Sequence, residues 1–269
     1  MLTLSLQSLN IRTIQCKKKN ITFREVDFLK NVVGQHIGPK SYFYPGHLSH
    51  VFQPIYSLQG GGLFGFESLI RSTKIHSPEN LFSLAKKQRK LFELDMNSAL
   101  NSITTFDLCN KGVGLQLSVN IFPSTLMDRS FYYSLMNVVE DVNLEPVDIL
   151  FELNEAESVQ NVSKLKEGIG ILKRAGFKFA LDDLGKGQSS LRIALELEPD
   201  FIKLDRYFCA GLEQSVKKQN FLHWISSYFK SEGVPLTLEG IEKEEQVEIA
   251  RQAGVEYGQG FYLGRPAQL

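Results

Sequence analysis

The chain has 269 residues, 43% hydrophobic and 22% charged, enough apolar material for a sizeable core. Thirty basic residues balance 30 acidic ones, which excludes a global charge that would attract a DNA or RNA polymer or an anionic membrane surface. Cys16, Cys109 and Cys209 show neither paired spacing nor a C-x-x-C, which argues against a disulfide framework or structural zinc site and for a reducing, cytoplasmic compartment.

In MLTLSLQSLNIRTIQCKKKN the basic run Lys17 to Lys19 follows the apolar residues instead of preceding them. That is the wrong order for a signal peptide, and no run of about 18 apolar residues predicts a membrane span. Residues 1–46 read as an amino-terminal extension, too short for an independent domain, with a possible amphipathic helix at REVDFLKNVVGQHI. It reads as a small packing appendage, the alternatives being a partner-binding arm or the remnant of a sensory module. Residues 47–269 read as one domain.

Eight strand-like runs follow Pro45 and Gly46: VFQPIYSL, GLFGFESLIR, GLQLSVNI, DILFELNE, FKFALDDL, DFIKLDR, PLTLEGI and GQGFYLG. Helical segments separate most of them, over 78–103, over 158–176 ending at Gly176, and over 244–254 ending at Gly254. Strands alternating with helices predict an α/β fold with a mostly parallel sheet, and this number of strands fits a (β/α)8 barrel. A doubly wound open sheet is the alternative. Only a short turn, Gln59 to Gly62, separates the first two strands. They should pair antiparallel and make the barrel irregular, because a parallel crossover needs about a dozen residues.

Polar residues close several of these apolar runs: Glu67, Asn120, Glu152, Asp182, Asp183, Lys203 and Glu239. The carboxyl ends of barrel strands are where such folds carry their chemistry. A single acid there is ordinarily a helix cap or a turn residue, and Glu155 and Glu242 singly fit first-turn acids that favour the helix dipole. The number converging on one mouth is what points to chemistry. So many carboxylates with one lysine repel one another unless cations neutralise them, and an all-oxygen set suits hard cations such as Mg²⁺ or Mn²⁺. Lys203, in a run of Phe, Ile and Leu, needs a carboxylate partner or a role. His47 and His50 have ligand-like spacing but no third ligand, GGGLFG lacks the Lys-Ser/Thr of a P-loop, and Trp224, Tyr228 and Phe229 fit core or an oligomer interface.

The ordered motifs FQPIYSL, GFESLIR, SVNIFP, FELNE, LDDLGKGQSSL, PDFIKLDRYF, LEGIEKEEQ and GQGFYLGRP resemble the EAL-domain phosphodiesterases of bacterial cyclic di-GMP signalling across residues 50 to 267. The resemblance implies a TIM-like barrel that uses two divalent cations to hydrolyse cyclic di-GMP to linear pGpG, and a homodimer. It implies metal binding by Glu67, Asn120, Glu152, Asp182, Asp183 and Glu239, with Lys203 near the nucleophilic water. Glu155 matches the acid that holds the loop after Asp182 and Asp183, Glu242 matches the second glutamate of its motif, Arg71 matches an arginine that contacts a substrate phosphate, and Gln259 matches the glutamine of the last strand. Ser68 departs from the alanine of the name motif, and Leu184, Lys186 and Gln188 depart from the usual loop after Asp183. That loop couples dimerisation to the active site in the family. The competing class is a catalytically silent cyclic di-GMP receptor or protein-interaction domain.

Overall fold

The computed structural model describes residues 42–43, 45–109, 114–153, 161–185 and 191–269. Glu155, Lys186, Gln188 and nearly all of the expected 1–46 extension lie outside the described residues.

Eight strands close into a barrel in chain order. They are β1 (Leu48–Ser57), β2 (Leu63–Ser72), β3 (Gln116–Ile121), β4 (Ile149–Leu153), β5 (Lys178–Leu184), β6 (Phe201–Leu204), β7 (Leu236–Leu238) and β8 (Tyr257–Gly258). β1 runs antiparallel to β2, from Leu48 opposite Ser72 to Tyr56 opposite Leu63, and antiparallel to β8. The remaining neighbours are parallel, so the irregular (β/α)8 barrel expected from the sequence is the fold. The reversal follows from the tight turn after Ser57, which is closed by hydrogen bonds from Ser57 N to the Gly62 carbonyl and from Gly61 N to the Ser57 carbonyl, each 2.9 Å.

The helices are α1 (Pro78–Lys87), α2 (Leu91–Cys109), α3 (Pro123–Leu126), α4 (Arg129–Asp141), α5 (Val162–Arg174), α6 (Leu191–Leu197), α7 (Arg206–Cys209), α8 (Val216–Ser231) and α9 (Glu244–Gln252). The single helix predicted over 78–103 is instead two. Lys86 to Lys90 offers a full turn with no apolar residue to bury, and Arg89 turns left-handed at φ 57°. Arg89 N then donates to the Lys86 carbonyl and Lys90 N to the Ala85 carbonyl, a Schellman stop. α5 shows how the outer helices attach. Leu165, Ile169 and Leu172 are buried on one face, and the Asn161 side chain caps the first turn by accepting from Lys164 N. No described helix is long and apolar enough to cross a membrane.

The predicted last strand, 258–264, is also shorter than expected. Only Tyr257–Gly258 pairs as a strand. The chain then turns, with Tyr262 N donating to the Ile241 carbonyl at 3.0 Å and Gly264 N to the Gly260 carbonyl at 2.9 Å. It returns along β1, where Phe52 and Ala267 exchange backbone hydrogen bonds of 2.7 and 3.1 Å.

Leu150, Ala180 and Phe201 pack together inside the barrel with Phe64 and Tyr257 against them, and the Phe64 and Tyr257 rings lie 4.0 Å apart. This apolar plug is the floor on which the polar layer rests.

Candidate metal centre

Side chains two residues apart in a strand face the same side. Leu150, Ala180, Phe201 and Tyr257 form the plug, so Glu152, Asp182, Lys203 and Gln259 stand one layer nearer the carboxyl ends of their strands. Asn120 joins them on β3, and Glu67 on β2. The strands therefore alternate apolar below and ionisable above, at the barrel mouth.

Lys203 is the hub. Its Nζ lies 2.8 Å from Glu152 Oε2, 2.7 Å from Glu239 Oε1, 3.3 Å from Asp182 Oδ1 and 3.4 Å from Glu67 Oε2. Lys203 is 2% exposed and Glu152 fully buried. Both oxygens of Glu67 are held as well, Oε1 by Asn120 Nδ2 at 2.8 Å and Oε2 by Gln259 Nε2 at 2.6 Å. Donation through Nδ2 leaves Asn120 Oδ1 as that side chain's acceptor.

One ammonium does not neutralise four carboxylates, and the protonation balance reflects it. Burial raises Glu152 well above the ordinary carboxylate range against the pull of Lys203, with Glu67 and Asp182 adding repulsion. Asp182 rises for the same first reason, reinforced by Glu67 and Asp183, and Glu239 is pushed up to about 8. Glu67 is lowered: burial acts upward there, but Lys203, Gln259 and Asn120 together outweigh it. Burial pulls Lys203 down, yet Asp182, Glu152, Glu239 and Glu67 hold it well above its ordinary value, so it stays charged.

The adjacent aspartates are explained by a break in the strand. Pairing of β5 with β6 shifts register between Leu181 and Leu184, and Asp183 is left-handed at φ 52°, a conformation aspartate tolerates better than most residues. In a regular strand the two side chains would face opposite sides. Here carboxylate oxygens of Asp182, Asp183 and Glu239 lie within 4.8 Å of one another. Gly240 turns the chain just after Glu239 at φ 72°, and a Cβ there would lie 2.4 Å from Arg206 Cβ. Gly240→Ala is therefore expected to lose about 2 kcal/mol of stability, read as a lower urea midpoint at unchanged slope. An unchanged midpoint would mean that the loop moves aside freely.

The remaining predicted residues are less tightly gathered. Arg71 lies two strand repeats beyond Glu67, with Nη1 donating to the Ile70 carbonyl at 2.8 Å, and makes none of the contacts that define the hub. Glu242 sits in the loop before α9, its backbone N–H donating to Gln246 Oε1 at 2.9 Å, and its carboxylate does not reach Lys203. His50 faces α2, its Nε2 3.2 Å from Ser98 Oγ; burial, aided by Arg71, lowers its pKa to about 4. That location makes it a packed neutral histidine turned toward α2 and outside the hub. Phe229 is core at 4% exposure, whereas Trp224 on the same helix is 55% exposed. Gln53, which the sequence reading passed over, lies opposite Glu67 on β1; its only sequence signal was its place in FQPIYSL.

The donor set fits hard divalent cations. It is all oxygen, Glu152 Oε1 is buried without a hydrogen-bond partner, and Asp182 Oδ1 faces Lys203 without accepting a hydrogen bond. Buried carboxylate oxygens left so are costly unless a cation or proton joins them.

The EAL domain model matches residues 43–266, and the chain belongs to that family. Cyclic di-GMP phosphodiesterase RocR of Pseudomonas aeruginosa is 27% identical over 228 residues, covering 82% of this chain and 58% of RocR. The chain spans well under two thirds of its curated relatives, down to 23% of the phosphodiesterase PdeB of Shewanella oneidensis. Among solved structures, BlrP1 of Klebsiella pneumoniae in a calcium and cyclic di-GMP complex superposes with a TM-score of 0.76 at 26% identity, covering 86% of this chain and 58% of BlrP1. Its manganese and cyclic di-GMP complex gives 0.75 at 26%, covering 87% and 57%.

Proposed function

We propose that this chain hydrolyses one phosphodiester bond of cyclic di-GMP to release linear pGpG, with two divalent cations, Mg²⁺ or Mn²⁺, as cofactors. The observation that carries the reading is the hub: one buried ammonium against four carboxylates, three on strands and Glu239 just past the end of β7, with Asp183 alongside. Five carboxylates and one ammonium leave a formal charge that two dications balance. Glu67, Asn120, Glu152, Asp182, Asp183 and Glu239 would hold them. Bound there, such a pair supplies an acidified water and charge stabilisation at the phosphate.

The chain's own residues do the rest. Lys203 orients the attacking water and stabilises charge that develops on phosphate oxygen. Arg71 clamps a phosphate with its guanidinium fork, Gln259 completes the binding wall, and Glu155 and Glu242 brace the loops that carry the aspartates and Glu239. Water oxygen adds to phosphorus, the P–O3′ bond breaks, and the 3′ oxygen departs with a proton. The reading includes a cytoplasmic homodimer, for which Leu195 and Trp224, 60% and 55% exposed, offer apolar surface. It also assigns residues 1–46 to an extension open to a protein partner, separate from the 47–269 domain.

Purified chain with Mn²⁺ is expected to convert cyclic di-GMP to pGpG by chromatography, and Glu67→Ala to lower the rate on the order of a hundredfold or more. Equal turnover by Glu67→Ala would sink the assignment. Nucleotide binding without turnover by the parent would make the chain a receptor instead.

A further inference from the structure

We infer that Gln53 is a positioning residue of this centre: anchored by the carboxy-terminal segment, it fixes which end of the Gln259 amide faces Glu67. The inference deepens the reading of the site as a divalent-metal centre and rests on it.

Gln53 is 8% exposed and Gln259 4%, so the pair is dry. Gln53 Nε2 donates to the Gly264 carbonyl at 3.1 Å, and Gln53 Oε1 accepts from Gln259 Nε2 at 3.2 Å. Gln259 Nε2 directs its other hydrogen to Glu67 Oε2 at 2.6 Å. A primary amide has a donor end and an acceptor end, so polarity passes along the row. The Gly264 carbonyl can only accept, which sets the Gln53 nitrogen toward it and the Gln53 oxygen toward Gln259. That in turn sets the Gln259 nitrogen toward Glu67. Reversing the Gln53 amide alone brings nitrogen against nitrogen at one end and oxygen against oxygen at the other. Inside a buried row such a reversal breaks two hydrogen bonds with no water to replace them.

The consequence reaches the candidate ligand. Glu67 is gripped at Oε2 by Gln259 and at Oε1 by Asn120, so its carboxylate plane is set before a cation arrives, and such supporting hydrogen bonds tune metal affinity. The anchor depends on a close approach. A Cβ at Gly264 would lie 2.3 Å from Pro54 Cγ, and the paired Phe52 and Ala267 backbones pin the segment beside β1.

The test is a double-mutant cycle on the full chain with Mn²⁺ alone as probe: parent, Gln53→Met, Gln259→Met and the double variant. Mn²⁺ affinity is measured by calorimetry, and the Gln259 side-chain amide by ¹H–¹⁵N NMR of the metal-free protein. Gln53→Met is expected to weaken Mn²⁺ about tenfold, to move the Gln259 amide resonance, and to add little to the loss caused by Gln259→Met. Gly264→Ala, which displaces the anchor and leaves both glutamines intact, should move the same resonance, and it serves if Gln53→Met does not fold. Additive losses, or an unmoved Gln259 resonance in folded variants, would overturn the relay. If the parent binds no Mn²⁺, the metal reading fails, and the resonance then decides the relay alone: a shift supports it, no shift ends it.

Discussion

Replacing Lys203 with methionine is expected to destabilise the metal-free protein by about 3–5 kcal/mol at mildly alkaline pH, the usual result of removing one partner from a buried ionic set, and by far less near pH 5. Methionine keeps most of the volume of the buried side chain. What is lost is the charge that faces Glu67, Glu152, Asp182 and Glu239 within 3.4 Å. Near pH 5 Glu239, pushed up to about 8, carries its proton, and Glu152 and Asp182 are displaced in the same direction, so less negative charge faces the place of the missing ammonium. As pH rises these carboxyls must ionise against one another in a dry site or unfold the chain. Urea denaturation in the presence of a chelator at the two pH values measures the difference. Equal losses at both would assign the effect to packing. The same variant should abolish hydrolysis of cyclic di-GMP with Mn²⁺ present, because no other buried cation takes part in the described hub.

The second large effect is a pH-dependent affinity for Mn²⁺. Glu239 is displaced from the ordinary 4.5 to about 8, by burial first and then by Asp182 and Glu67, against the pull of Lys203. Glu152 and Asp182 move in the same direction. Below the ordinary value these groups are protonated in the folded and unfolded chain alike. Between it and about 8, the unfolded chain has released the Glu239 proton and the folded metal-free chain has not. The folded state thus binds more protons, and the stability of the metal-free protein falls as pH rises through that window. A dication removes the penalty by displacing the proton. Mn²⁺ affinity should therefore rise about tenfold per pH unit for each proton displaced between roughly pH 6 and 8. Calorimetry in buffers of unlike ionisation enthalpy counts those protons. A flat affinity would show that the carboxylates are already ionised, and that the cation meets a different balance of charge.

Much of this was legible in the sequence because barrel geometry is periodic. Apolar residue, spacer, polar residue is the pattern of Leu150 and Glu152, of Ala180 and Asp182, and of Phe201 and Lys203. Parity alone puts each polar partner one layer above its apolar one. The antiparallel start was readable from the shortness of the turn before Leu63. What could not be read was whatever depends on close approach or on broken periodicity. Asp183 shares the mouth with Asp182 only because its backbone turns left-handed, and no propensity announces that. The helix break at Arg89 rests on a Schellman turn without glycine. GQGFYLG alternates like a strand, yet after Gly258 it leaves the sheet, since position 260 seats against the Ile241 backbone, where a Cβ would lie 2.1 Å from the carbonyl oxygen. Gln53 was invisible for a different reason: its partners are Gly264 and Gln259, 211 and 206 residues away, and only the closed barrel brings them together.

The reversed first strand has a directional consequence. In an all-parallel barrel the first strand begins at the face opposite the chemistry. Here Leu48 pairs with Ser72 at the far end of β2, and His47 already accepts a backbone hydrogen bond from Thr73 N at 3.0 Å. The peptide therefore arrives on the same side as the carboxylates. β1 thus begins at the rim of the mouth, where Ser49 lies opposite Arg71.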